Sequence, residues 1–301
     1  MENMAKIKCL EKIKFTNDKK KYISESLNQK LIKQALLISF QFWSEKLKNN
    51  LKFPKNLYPK YYKAYKSATE CDIFQKGGID IKDHINIFVL LSIIKPGLYC
   101  ESGVFKGSSI HSALHALEPK IVYGIDPKPK LNKRIKSLLF NEVETKLDFN
   151  EFEFDTNTKK KVVFFDDHIN SMQRIIDAKE KGFKYIIFDD STGFEGIGQR
   201  RYPALPTVGM LKYNKLFNEN DFFSWSLPIN KMSWKSRAKS PKSLLKKYIK
   251  VTARIDKRCK DEMNQAEKYI KKIINFPDLS ELLFASEPGM INNTQKYIIL
   301  L

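Results

Sequence analysis

The sequence is poor in several things, and each shortage narrows the reading. It holds four cysteines, Cys9, Cys71, Cys100 and Cys259, far apart and with no CxxC pair. That argues against a disulfide framework and against a zinc site, and it fits a reducing cytoplasmic setting. Uninterrupted apolar runs last only a few residues, as in Ile121–Tyr123 or Ile298–Leu301. A bilayer span needs about 20, so no transmembrane segment is expected. The opening stretch, MENMAKIKCLEKIKF, has no apolar h-region and no small-residue cleavage site, so no secretory signal is expected. Arginine is scarce, with seven residues against 47 lysines. Readers of phosphate and guanine lean on the bidentate guanidinium. The net charge of +20 is therefore read as lysine-rich solubility in an AT-rich coding background, and a nucleic-acid partner is not expected. Neither a G-x-G-x-x-G nor a Walker lysine is present, and there is no internal repeat or low-complexity tract.

What remains is ample for a folded protein. The chain has 301 residues, 42% apolar and 29% charged. That length allows two domains, or one α/β domain with insertions. One block stands out in charge: residues 228–275 carry 15 Lys/Arg against four Asp/Glu. Such a block attracts an anionic substrate, a polyanion or a membrane surface, or is simply a solvated helical face.

The hydrophobic pattern divides the chain. Residues 1–90 form a helical N-terminal extension. Ile32, Leu36, Leu37, Phe40 and Trp43 recur at helical spacing within 21–51, and Ile85, Phe88, Val89 and Ile93 share a face within 80–94. Residues 53–65, with Pro54 and Pro59, read as a loop and a short helix. Over 91–190, short apolar strands alternate with helical segments: Leu98–Glu101, Ile121–Asp126, Phe152–Asp155, Val162–Asp166 and Tyr185–Asp189. Alternation of this kind predicts a parallel sheet with helices on its faces. The gap from Asp155 to Val162 is too short for a crossover helix, so that connection is abbreviated or the third strand is misplaced. Residues 191–280 form a basic insertion, with an amphipathic helix expected over Val251–Ile274. Residues 281–301 return to strands, Leu282–Ala285 and Lys296–Leu301, joined by a turn at Pro288–Gly289.

The chemistry concentrates at strand ends. Glu101–Ser109, E-S-G-V-F-K-G-S-S, follows the first strand and opens a helix. Gly103 and Gly107 let the backbone turn sharply and approach a ligand, and the helix N-terminus favours polar or anionic groups. Glu101 can accept from a ligand ammonium. Asp126, at the end of the second strand, is placed to take two ribose hydroxyls. An ordinary tight β–α turn would use the same residues.

Together these stretches resemble class I S-adenosylmethionine (SAM)-dependent methyltransferases. E-S-G-V-F-K-G-S-S looks like their motif I, and I-V-Y-G-I-D like their second strand with its ribose-binding acid. The resemblance covers roughly residues 94–190 and 281–301. It implies a Rossmann-like α/β sheet of parallel strands closed by an antiparallel C-terminal hairpin. It places Glu101, Gly103, Gly107, Ser109 and Asp126 around the cofactor.

Two further strands end in paired acids, Asp166–Asp167–His168 and Asp189–Asp190. Neighbouring parallel strands bring such ends into one crevice, where uncompensated carboxylates repel each other. A hard divalent cation with oxygen ligands relieves that, and Mg²⁺ suits it best. Helix N-capping is the alternative use of either pair. F-F-D-D-H and I-F-D-D-S are similar to the metal-binding elements of Mg²⁺-dependent O-methyltransferases of the macrocin, cephalosporin hydroxylase-like and catechol O-methyltransferase type. That resemblance implies Asp167, Asp189 and Asp190 as ligands; Asp167, with the neighbouring His168 read from the residues themselves, is the candidate catalytic pair. The lysine of the catechol enzymes is replaced here by Asn170, so His168, adjacent to the expected ion and near neutral in pKa, is the local candidate for proton acceptor, with a cofactor-contacting or purely structural histidine as the alternative. His84, His111 and His115 lie on predicted helices and are assigned to core or surface. Arg200 and Arg201, in the glycine-rich stretch 191–202, could clamp an anionic acceptor, or the stretch is a surface linker into the insertion.

The implied activity is SAM- and Mg²⁺-dependent O-methylation of a sugar, glycan or other small molecule. Two other readings stay open. One is a cephalosporin hydroxylase-like protein with a different reaction, although no two-histidine, one-carboxylate iron triad is evident. The other is a non-enzymatic basic protein that binds nucleic acid or membrane, which leaves the paired acids without a use. Oligomeric state is not legible.

Overall fold

A computed structural model describes residues 25–48, 51–71, 73–74, 79–117, 121–131, 133–139, 142–155, 157–158, 160–167, 169–189, 206–228, 248–283 and 296–301. Three helices come first, α1 (Glu25–Lys46), α2 (Leu57–Glu70) and α3 (Ile81–Ile94). α3 starts where the Asp80 carboxylate accepts the Asp83 N–H at 3.0 Å, a cap for an otherwise unpaired helix donor. It stops at Lys95, left-handed at φ 50°, ahead of Pro96. Its sequence suggests one apolar face, yet nearly every side chain is buried. α3 is a core helix of the kind that is covered all round.

The strands are β1 (Leu98–Ser102), β2 (Ile121–Ile125), β3 (Lys161–Phe165), β4 (Tyr185–Phe188), β5 (Phe222–Pro228), β6 (Tyr248–Arg254), β7 (Lys272–Asn275) and β8 (Tyr297–Leu300). Six of them form one sheet in the order β2-β1-β3-β4-β8-β7, while β5 and β6 pair as a separate two-stranded ribbon. β1 to β4 are mutually parallel. β8 runs antiparallel to both β4 and β7. This is the expected Rossmann-like arrangement with its antiparallel C-terminal hairpin.

Both faces of the sheet are covered, which is why the central strands are apolar without alternation. Successive residues serve opposite faces. Tyr99 and Phe164 pack with α1, α3 and α4 (Ser108–Ala116). Cys100, Val163 and Phe165 pack with α6 (Ser171–Glu180) and α8 (Lys257–Tyr269). Two short helices, α5 (Lys133–Leu138) and α7 (Val208–Lys212), lie on the connections. Among the described residues no helix is long and apolar enough to cross a membrane.

Three expectations need correction. Phe152–Asp155 is not a strand. Its two phenylalanines instead join a ring cluster with Tyr123, Phe149 and Phe183, so side-chain packing rather than a ladder uses the alternation. The edge beyond β2 is a single parallel bridge, Ile125 to Glu144. Val251–Ile274 is not one helix. β-branched residues take both ends into β6 and β7, and Asp256 starts the helix between them by accepting the Cys259 N–H at 2.7 Å. Leu282–Ala285 is not the penultimate strand either, for Ser280–Leu283 is a short helix, α9. The partner of β8 is Lys272–Asn275, ahead of the residue 281 expected to open the hairpin; the turn at Pro288–Gly289 lies outside the described residues.

Candidate active site

Strand register builds the site. Ser102 lies opposite Ile125 on one side and Phe165 on the other, and Phe165 lies opposite Phe188. The four parallel strands therefore end level, and the residues that follow them, Gly103, Asp126, Asp166 and Asp189, line one rim. The chain order reverses about β1, whose neighbours are β2 and β3. A crevice at such a switch point is where open α/β sheets take ligands.

The loop after β1 needs its glycines. Gly103 sits at φ 91°, and a Cβ there would lie 2.3 Å from the Asp166 carbonyl oxygen. Its N–H donates to Ile125 O at 2.8 Å, so the loop is pressed between the ends of β2 and β3. Gly107, at φ 83°, opens α4; a Cβ there would meet the Leu131 side chain at 2.5 Å. Between them Phe105 holds a left-handed φ of 42° without being glycine. Asp126 braces that turn. Its Oδ2 accepts the Phe105 N–H at 2.7 Å and its Oδ1 accepts the Lys128 N–H at 2.6 Å. Each carboxylate oxygen keeps a further lone pair for a hydroxyl.

Glu101 and Ser109 do come together, beneath the loop. The Ser109 hydroxyl donates to Glu101 Oε1 at 2.7 Å and the Tyr99 hydroxyl to Oε2 at 2.8 Å. Glu101 is fully buried. Burial pushes its carboxyl up to about 8, against the pull of these hydroxyls and of the Ile110 N–H. It ties β1 to the first turn of α4.

The acids of β3 and β4 have partners that the sequence reading missed. Asp167 Oδ2 accepts from the Ser102 hydroxyl at 2.7 Å and from Arg174 Nε at 2.9 Å. Arg174, on α6 and 1% exposed, also holds Asp148 through two nitrogens at 2.6 and 2.8 Å. It lies against the Phe149 and Phe165 rings, 5.8 and 5.5 Å from their centroids. Burial raises the Asp167 carboxyl above its usual range, with the Arg174 charge opposing. Asp189 is ion-paired with Lys296, whose ammonium also lies 2.8 Å from Asp83. His168, Asp190, Arg200 and Arg201 lie outside the described residues.

Asn170 caps α6 by accepting the Met172 N–H at 2.9 Å and donates to Glu262 on α8. Of the three other histidines, His84 and His111 are fully buried and His115 is half-buried. Tyr61, His84, His111 and Ser67 form one chain of contacts of 3.1 to 3.2 Å linking α2, α3 and α4.

The implied metal ion can be tested on its donor set. Of its three expected ligands, Asp167 and Asp189 are each already matched by a buried cation. Among the described residues no group of three or more His, Cys, Asp or Glu side chains is arranged to hold a metal. Asp167 and Asp189, as placed, do not fit a divalent ion; the third expected ligand, Asp190, lies outside the described residues. The cofactor side fits better: a left-handed glycine turn, a helix N-terminus and a braced carboxylate meet at the switch point.

No family model matches the chain, and no curated protein matches it. Solved structures resemble it distantly. The O-methyltransferase TomG of Streptomyces achromogenes, solved with SAM, is 14% identical over 62% of this chain and 88% of its own, with a TM-score of 0.35. An O-methyltransferase of Bacillus cereus, solved with SAH, is 11% identical over 65% and 93%, also at 0.35. A SAM-dependent O-methyltransferase of Thermotoga maritima is 9% identical over 76% and 68%, at 0.38. Likeness at this level carries no weight on activity, which rests on the residues themselves.

Proposed function

We propose that this protein is a SAM-dependent methyltransferase acting on a hydroxyl of a sugar, glycan or other small molecule. The observation that carries the reading is the brace between Asp126 and Phe105, which fixes the glycine turn of motif-I-like sequence at the switch point. Asp126 would take ribose hydroxyls on its remaining lone pairs. The backbone of 103–107 and the first turn of α4 would line the cofactor, with Glu101 and Ser109 holding that turn from below. When bound, SAM supplies an electrophilic methyl on a sulfonium. His168, next to Asp167, is the proposed acceptor of the hydroxyl proton. Mg²⁺ is not carried into this mechanism, because Asp167 and Asp189 already have cations.

Calorimetry of the full chain with SAM and with SAH tests the reading. Saturable binding is expected, weakened about tenfold or more by Asp126→Asn, whose amide cannot accept from both backbone donors. No heat with either ligand overturns the proposal. Labelled SAM, screened over sugars, nucleotide-sugars and phenolics, then identifies the acceptor.

A further inference from the structure

The ion pair at the end of β4 is built from three separate elements. Asp189 follows β4, Lys296 precedes β8, and Asp83 comes from the first turn of α3. The antiparallel course of β8 puts its entry beside the exit of β4, with Phe188 opposite Tyr297. The three side chains are 9%, 2% and 5% exposed, respectively for Asp189, Lys296 and Asp83. A second pair, Lys82 with Asp80 at 3.5 Å, adjoins them at the start of α3.

We infer that this rim works without a divalent metal: the ammonium of Lys296, fixed between Asp83 and Asp189, occupies the place in the charge balance that a metal ion would take. Buried carboxylates attract a divalent ion when no protein cation neutralises them. Here Asp189 and Asp83 share a buried lysine, and Asp167 shares a buried arginine with Asp148. A metal at Asp189 would have to displace an ammonium that is enclosed by both its partners, or sit beside it against like-charge repulsion. The inference rests on the methyltransferase reading for its consequence, which is transfer that survives chelation. Methyl transfer balances without the ion. The carbon–sulfur bond breaks toward sulfur, the acceptor oxygen forms the new bond, and its proton passes to a base of the chain.

Titration of the full chain with Mn²⁺, following the free ion by EPR with and without SAM, tests this. Wild type should bind no more tightly than about 1 mM, the weak end for carboxylate sites. Lys296→Gln removes the ammonium that Asp83 and Asp189 share and should bind Mn²⁺ about tenfold or more tightly than wild type. Equal or weaker binding by a folded Lys296→Gln chain overturns the inference. So does a tight wild-type site, one ion per chain, that Asp189→Asn abolishes. Wild-type binding that Asp189→Asn leaves unchanged lies elsewhere and upholds it. Should Lys296→Gln not fold by circular dichroism, the wild-type and Asp189→Asn titrations decide alone. SAM calorimetry in EDTA separates the two proposals: no SAM binding sinks the methyltransferase reading, while the Mn²⁺ result stands by itself.

Discussion

Arg174 Nε lies 2.9 Å from Asp167 Oδ2, so the acid that ends β3 is held by the first turn of the helix that follows it. The same guanidinium clasps Asp148 and reaches Asp177 at 3.4 Å. One cation thus ties the rim, the 142–155 segment and α6 together.

Arg174→Met leaves those carboxylates without their cation. Breaking a buried ion pair on one side costs about 3–5 kcal/mol, so urea unfolding should show a loss of that order. Arg174→Lys should recover only part, because an ammonium cannot reproduce the two-nitrogen clasp on Asp148. A loss under about 1 kcal/mol, the range of exposed pairs, would contradict this account.

Glu101 carries a pH signature of its own. Its carboxyl is raised to about 8 by burial, so between the unfolded value near 4.5 and 8 the folded chain binds the extra proton. Stability from this group is complete below the unfolded value and falls as pH rises through the folded one. Glu101→Gln removes that term, and the Tyr99 and Ser109 hydroxyls can reorient to suit the amide. The stability of the variant relative to wild type should therefore rise from pH 5 to pH 9, by about 1 kcal/mol or more. A flat difference across that range would count against the burial assigned to Glu101.

The histidine chain should act in the opposite direction. Burial holds the His111 imidazole at about 3 and His84 well below its usual value. His115, whose ring centroid lies 4.4 Å from that of His111 with the planes tilted by 48°, is also lowered by burial and by Lys63 and Lys60. Below about 6.5 the unfolded chain takes up protons that the folded chain refuses, so stability falls with falling pH. His111→Gln should reduce that slope between pH 6.5 and 5 by up to about 1.4 kcal/mol per pH unit. Denaturant titrations at several pH values measure it, and an unchanged slope would show that His111 is solvated.

Much of the frame was legible because it depends on local pattern. Leu98–Ser102, Ile121–Ile125 and Lys161–Phe165 are short apolar runs closed by turn residues, and the acid or glycine after each marks the rim. The glycine loop and the brace position Asp126 follow from the same logic. The errors arose where tertiary packing decides. Phe152 and Phe154 alternate like a strand but fill a ring cluster, and Ile270, Ile273 and Ile274 keep helical spacing while passing from a helix end into a strand. Arg174 and Lys296 carried no sequence signal. Nothing local distinguishes a lysine that will be enclosed by acids 107 and 213 positions away from the many that stay solvated.

The placement of β8 has a cost during folding. Tyr185 pairs with Leu300, across more than a third of the chain. Closing so long a loop is slow compared with forming the parallel β1 to β4 unit. Until β8 arrives, β4 presents Ile186, Ile187 and Phe188 along an open ladder edge. An unpaired apolar edge of that kind invites strands from other molecules. Aggregation during refolding should therefore be governed by docking of the final hairpin, and a chain cut before Tyr297 should precipitate even though its first four strands are intact.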